Sequence, residues 1–234
     1  MARRLSGRWQ RRKAARPAEI LSAALDCFAE RGFAATRLED VAARAGVTKG
    51  TLYLYFPGKE ELFKALVRQE LLPNIERLEA VAAGPGSAAE MLGRLVAVWA
   101  TDVAPSRFAV LPKLMIAEAG NFPELAKFYF REVIQRSLRL LQSILRRGVE
   151  AGEFRPIDVD RTALCVVGPL LLSVLWKHTF DAHAARPLDV AALCQAHLDA
   201  MLNGLLRPAP PAPTKPAQAR RTPRKEAARA PDRR

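Results

Sequence analysis

Apolar residues recur along most of this 234-residue chain at intervals of three and four, with little alternation at intervals of two. The pattern predicts an all-α protein. A first helix is expected from about Ala18 to Arg31, with Ile20, Leu21, Ala24, Leu25 and Phe28 as its buried stripe. Gly32 ends it and Phe33 packs back. A short helix carries Leu38, Val41, Ala42 and Ala45 and stops at Gly46, a residue that readily takes the left-handed conformation. Another, Lys49 to Tyr55, turns Leu52 and Phe56 inward and stops at Phe56-Pro57-Gly58. A long helix then runs from about Lys59 to Ala82. Pro73 in its middle marks either a kink or a break between two helices.

The second half follows the same rule. Gly84-Pro85-Gly86 is a loop, and Ser87 with Glu90 forms a capping box. The helix behind it carries Met91, Leu92, Leu95, Val98 and Trp99 and ends before Pro105. Ser106 opens a helix with Phe108, Leu111, Met115 and Ile116. After Gly120 to Pro123 comes the longest helix, to Glu150, with Leu125, Phe128, Tyr129, Ile134, Leu138, Leu141, Ile144 and Leu145 inward. Asp158 caps a helix reaching about Asp181 that is nearly free of charge from Ala163 to Leu175. A helix apolar on all sides must be buried on all sides, which in a chain this size suggests a second subunit. The last helix covers about Leu188 to Leu206.

The stretch from Thr36 to Lys59 departs from ordinary core patterning. Thr36 and Glu39 have the spacing of a capping box, and Thr48 can cap the helix that starts at Lys49. The solvent side of that helix shows Lys49, Gly50, Thr51, Tyr53 and Tyr55. One cation, one missing side chain, one hydroxyl and two phenols suit a groove reader better than a core. Gly50 lets the backbone approach closely, Lys49 can reach guanine acceptors or phosphate, and the Thr51 methyl can touch a thymine. A scaffold helix, a tight turn and an exposed polar helix make a helix-turn-helix.

At fixed spacing, Gly32-Phe33, Thr36, Val41-Ala42, Ala45-Gly46-Val47, Lys49 to Tyr53, Tyr55-Phe56 and Lys59 to Leu62 resemble the DNA-binding domain of the TetR/AcrR bacterial transcriptional regulators. The resemblance covers about Pro17 to Leu66. One departure is Gly58, where many members carry a Ser or Asn cap. It implies a three-helix helix-turn-helix domain followed by a larger helical effector-binding and dimerisation domain. Lys49, Gly50, Thr51 and Tyr53 would face the major groove. Thr36, Arg37, Thr48, Tyr55 and Lys59 would anchor phosphates. The last two long helices, about 158–181 and 188–206, would pair with their copies in a four-helix dimer interface.

Charge changes the picture in one respect. The net +13 resides in the two ends: residues 1–16 hold seven Lys/Arg and no acid, and 207–234 hold nine against two. Residues 17–66 hold six Lys/Arg against seven acids, so that segment is no general polyanion sponge. The domain plan is an unfolded basic arm (1–16), the DNA-binding domain (17–66, helix-turn-helix about 38–57), the effector and dimerisation domain (67–206), and an unfolded Pro/Ala/Arg-rich tail (207–234). The arms either add non-specific phosphate attraction or serve only solubility.

The remaining chemistry is sparse. Cys27, Cys165 and Cys194 are far apart, and His178, His183 and His197 lack metal-ligand spacing, so neither metal nor cofactor is implied. No run of 18 apolar residues is free of charge, and the basic N-terminus has no apolar segment behind it, so a cytoplasmic protein without a membrane span is expected. Nucleophile motifs, phosphate-cradling glycine loops and paired carboxylates are missing, which argues against an enzyme. Met91, Leu95, Trp99, Phe108, Met115, Phe128, Ile134 and Trp176 are the candidate lining of an apolar effector pocket, although such a stripe is more often plain core. The expected function is that of a homodimeric repressor on a palindromic DNA operator, released by a small hydrophobic ligand. The alternative is a ligand-independent architectural DNA-binding protein with basic arms.

Overall fold

The computed structural model describes the backbone of residues 2–206 and the side chains of residues 16–206. No β-strand occurs among the described residues; a single bridge joins Phe154 to Leu206. The helices are α1 (Ala2–Arg31), α2 (Leu38–Arg44), α3 (Lys49–Tyr55), α4 (Lys59–Leu66), α5 (Leu72–Ala82), α6 (Ala88–Val98), α7 (Val110–Glu118), α8 (Pro123–Tyr129), α9 (Gln135–Glu150), α10 (Val159–Lys177) and α11 (Val190–Leu205). Helix α1 runs through the segment expected from the sequence to be an unfolded arm. That segment is rich in Arg and Ala, both good helix formers. The tail expected to be unfolded, 207–234, lies outside the described residues.

Local signals set most boundaries. Gly32 and Gly46 take φ of 80° and 65°. At Gly46 the Val47 N–H donates to the Ala42 carbonyl (3.0 Å) and the Gly46 N–H to that of Ala43 (3.2 Å), closing a Schellman motif that ends α2. Thr48, Ser87, Asp158 and Asp189 cap α3, α6, α10 and α11 through their side-chain oxygens. At Ser87 the capping box is complete, and the Glu153 carboxylate accepts from the Ala88 and Ala89 N–H groups as well (2.7 and 2.8 Å). The box expected at Thr36 does not form: Arg37 is the N-cap of α2 and gives no side-chain cap.

Two long helices are continuous but carry a wide turn. Helix α4 passes into α5 through a π-turn at Val67–Leu71, and α8 into α9 through another at Phe130–Ile134. Pro73 sits in the first turn of α5, so the wide turn lies just ahead of the missing N–H. The Asn74 side-chain amide donates to the Glu70 carbonyl there (2.7 Å). The connector is therefore unbroken, with a wide turn at the proline.

The sequence boundary at 66/67 falls inside a shared core. One cluster joins Ile20, Leu25, Phe28, Phe33, Leu52, Leu62, Phe63 and Val67 of the N-terminal part to Leu111, Met115, Leu125, Phe128 and Tyr129 of α7 and α8. A second cluster, with Met91, Leu92, Leu95, Leu141, Leu145 and Phe154, binds α6 to α9 and α10. Helix α10 packs against α7, α9 and α11. Its charges, Asp160, Arg161 and Lys177, sit at its ends, and with a mean hydropathy of 1.5 it has the length and composition of a core helix or a membrane span, though no 18-residue run in it is free of charge. Leu164, Leu172 and Trp176 stand exposed along one side of it.

Candidate nucleic-acid interface

Helix α2 packs against α3, whose buried side joins the core that α1 and α4 share. Leu52 is fully buried and Phe56 nearly so, while Lys49, Gly50, Tyr53 and Leu54 face solvent. The Thr48 hydroxyl oxygen accepts from the Thr51 N–H (3.1 Å) and shares a hydrogen bond with the Thr51 hydroxyl (2.8 Å), fixing the first turn. Lys49 pairs with Glu39 of α2 at 2.5 Å and its ammonium lies 5.7 Å from the centre of the Tyr53 ring. The hydrogen bond to Glu39 raises the Lys49 pKa, and the same bond lowers that of Glu39, so both are charged near neutrality. Arg37 is exposed beside them at the N-cap of α2, and Tyr55 is half-buried against the core.

Two of the expected phosphate anchors turn inward. Thr36 is 2 % exposed, and its hydroxyl lies 2.7 Å from the Gly32 carbonyl and 3.1 Å from that of Cys27. It ties the end of α1 to the start of α2 and presents no hydroxyl to the surface. Lys59 donates through Nζ to the carbonyls of Phe33 (3.1 Å) and Ala34 (2.7 Å), over the rings of Phe33 and Phe122. Its cation is used to close the α1–α2 loop. The Lys59 partners lie 25 and 26 residues away, beyond the reach of spacing, whereas Thr36 turns back to the end of the neighbouring α1 instead of forward to cap α2.

That loop is also where the reading head meets the second domain. The Ala34 N–H donates to Glu118 at the end of α7 (3.0 Å), and Phe33 and Phe122 stack edge to face with centroids 4.8 Å apart. Arg107 pairs with Asp26 of α1 at 2.5 Å and donates to the Ser22 hydroxyl at 3.1 Å. The α7–α8 region is therefore in direct contact with the scaffold of α3.

The N-terminal segment matches the model described as bacterial regulatory proteins, tetR family, over residues 20–66, and residues 83–191 match the tetracyclin repressor-like C-terminal domain. The chain belongs to the TetR family. Among TetR relatives, the fatty acid metabolism regulator protein of Bacillus subtilis (strain 168) is 25% identical over 188 residues, 80% of this chain and 94% of its own. The transcriptional repressor KstR2 of Mycolicibacterium smegmatis is 29% identical over 194 residues, 82% of this chain and 91% of its own. The crystal structure of FadR from Bacillus subtilis in complex with stearoyl-CoA superposes with a TM-score of 0.69 at 26% identity, covering 80% of this chain and 98% of that one.

The eight residues expected to line an effector pocket do not converge in this TetR protein. Met91 and Leu95 belong to one core cluster, Met115 and Phe128 to another, with Phe108 packed against the latter. Trp99 spans two smaller clusters and donates to the Ser173 hydroxyl (3.3 Å). Ile134 and Trp176 are on the surface, 40 % and 39 % exposed. The π-turn at 130–134 adds a residue to one helical turn and so rotates Ile134 out of the stripe that a 3.6-residue period gives it. An open groove of about 540 Å³ lies elsewhere, between α5 and α9, lined by Glu79, Ala82, Ala83, Arg136, Arg139, Leu140 and Ser143. Arg136 there holds Glu79 by two hydrogen bonds of 2.8 and 2.7 Å, which keeps the Glu79 carboxyl below the usual carboxylate range.

Proposed function

We propose that this chain is a homodimeric, sequence-specific transcriptional repressor that a small hydrophobic ligand releases from a palindromic operator. The observation that carries the reading is α3: a capped helix, held through buried Leu52 and Phe56 and half-buried Tyr55, with Lys49, Gly50, Tyr53 and Leu54 turned to solvent. Lys49, Gly50, Thr51 and Tyr53 would read base edges, with Arg37, Thr48 and Tyr55 at the flanking phosphates. Two such helices must stand about 34 Å apart to enter successive major grooves, so the operator is palindromic.

The dimer is supported by the exposed apolar side of α10, where Leu164, Leu172 and Trp176 lie with Phe180 just beyond the helix. Pairing α10 and α11 with their copies would cover it. The ligand is supported by the relatives: one is named for fatty acid metabolism, and FadR was solved with stearoyl-CoA. The α5–α9 groove mixes Ala82, Ala83 and Leu140 with Arg139, Ser143 and the Arg136–Glu79 pair, which suits an apolar body whose acidic end meets Arg139. A ligand that shifts α7 or α8 would move the head through Glu118 and Phe122.

The test couples thermal shift with gel shift. Duplexes selected by the purified protein should contain a palindrome. Within a panel of fatty acids, acyl-CoA thioesters and steroids, at least one compound should both raise the melting temperature and release that duplex. Selection without a palindrome refutes the dimeric reader. Release by no compound, with binding intact, leaves the ligand-independent architectural protein as the answer.

A further inference from the structure

The most exposed large apolar side chain among the described residues is neither on α10 nor at a domain edge. It is Leu54, 76 % exposed, in the middle of the reading surface. With about 100° of rotation per residue, Gly50 lies about 160° and Leu54 about 200° from the buried Leu52, so these two form the crest of α3. Lys49 and Tyr53 flank the crest on one side, Thr51 and Tyr55 on the other. Two of the flanking polar groups are already engaged, Lys49 with Glu39 and the Thr51 hydroxyl with Thr48. The crest itself carries no polar side-chain atom.

Its shape is specific. Gly50 and Leu54 are one turn apart and therefore neighbours on the helix surface. A Cβ built at Gly50 meets only the Thr48 hydroxyl oxygen, at 3.9 Å, so the space above it is open. The result is a shallow notch with bare backbone as its floor and the Leu54 methyls as one wall. A groove-facing notch of this size, with no donor or acceptor from a side chain, matches one feature of the major-groove edge: the C5 methyl of thymine, the single apolar group displayed there.

We propose that Leu54 is a specificity-determining residue, and that it reads a thymine methyl seated over Gly50 in each operator half-site. The proposal rests on the DNA-binding reading above and adds a base identity to it. Wild-type protein selects its operator from random duplexes, and each thymine is then replaced in turn by deoxyuridine, which keeps the pairing and removes only the methyl. At one thymine per half-site, wild-type affinity measured by fluorescence anisotropy should fall about fourfold, the worth of one buried methyl group. The same replacement should leave Leu54→Ala unaffected while Thr51→Ser, which removes the other nearby methyl, keeps the full loss. Leu54 is exposed, so both variants should melt with the wild type.

Three results would overturn the proposal. They are a wild type indifferent to every deoxyuridine, a Leu54→Ala variant that retains the full loss, and a loss that vanishes in Thr51→Ser instead. If selection enriches no sequence at all, the DNA-binding reading itself has failed, which distinguishes that failure from failure at Leu54.

Discussion

Replacing Lys59 by Met separates an internal clasp from a phosphate anchor. Methionine keeps the length and apolar stem of the side chain and removes the cation. What disappears is two hydrogen bonds, at 3.1 and 2.7 Å, and the approach to two rings, at 5.0 and 5.5 Å. A hydrogen bond involving a charged group contributes roughly 1.5–3 kcal/mol and a cation–π interaction about 0.5–1 kcal/mol. Desolvation of the half-buried ammonium offsets part of this, leaving a net loss of about 2 kcal/mol. At about 2–4 °C per kcal/mol for a chain of this size, scanning calorimetry should show a Tm about 4–8 °C lower. Operator binding should weaken uniformly while the slope of log K against log salt stays at the wild-type value. A phosphate anchor would behave in the opposite way: each phosphate no longer neutralised lowers the slope by about 0.9, hence by about 1.8 for a dimer. An unchanged Tm with that reduced slope would refute the clasp.

At Gly148 an added Cβ would fall inside the Phe154 ring surface and 2.8 Å from the Ala88 Cβ. Gly148→Ala should therefore destabilise by about 1–3 kcal/mol despite better helix propensity, and equal or higher stability in urea would contradict the packing. Arg136→Met removes the partner of Glu79, whose pKa is lowered chiefly by their hydrogen bonds. A lowered carboxyl pKa contributes stability above the ordinary value and loses it as pH falls. With both side chains about one-third exposed the gap to wild type should be about 1 kcal/mol at neutral pH. It should close as pH falls below about 4.5, the ordinary Glu value, and a gap independent of pH would count against the pair. Leu172→Glu puts a charge in the middle of the exposed side of α10. Light scattering should then report monomer where the wild type is dimer, and an intact dimer would place the interface elsewhere.

What the sequence made legible was local. The stops at Gly32 and Gly46, the caps at Thr48, Ser87 and Asp158, and the inward faces of Leu52 and Phe56 depend on residues within one or two turns. Spacing reports those directly. Lys59 failed for the opposite reason: its carbonyl partners sit in the loop after α1, 25 and 26 residues away, and Phe122 comes from the start of α8, while Thr36 failed because its hydroxyl turns back to Gly32 and Cys27 and not forward to α2. Ile134 failed because a π-turn breaks the 3.6-residue period that defines its stripe. The shared core of α1, α4, α7 and α8 was likewise invisible, since periodicity says which face is buried but not against what. Leu54 was within reach. Its spacing from Leu52 places it on the open side, but its residue type reads as core.

The central claim is that α3 reads DNA as one of two copies in a dimer. Its most direct measurement is an anisotropy titration of the selected palindrome with wild-type protein and with Tyr53→Ala, each also measured on a single half-site. One dimer should bind each palindrome, at least about a thousandfold tighter than unrelated duplex, and Tyr53→Ala should lose most of that ratio with the dimer and the Tm intact. Equal affinity for palindrome, half-site and unrelated duplex, or a Tyr53→Ala variant that binds like the wild type, would contradict it.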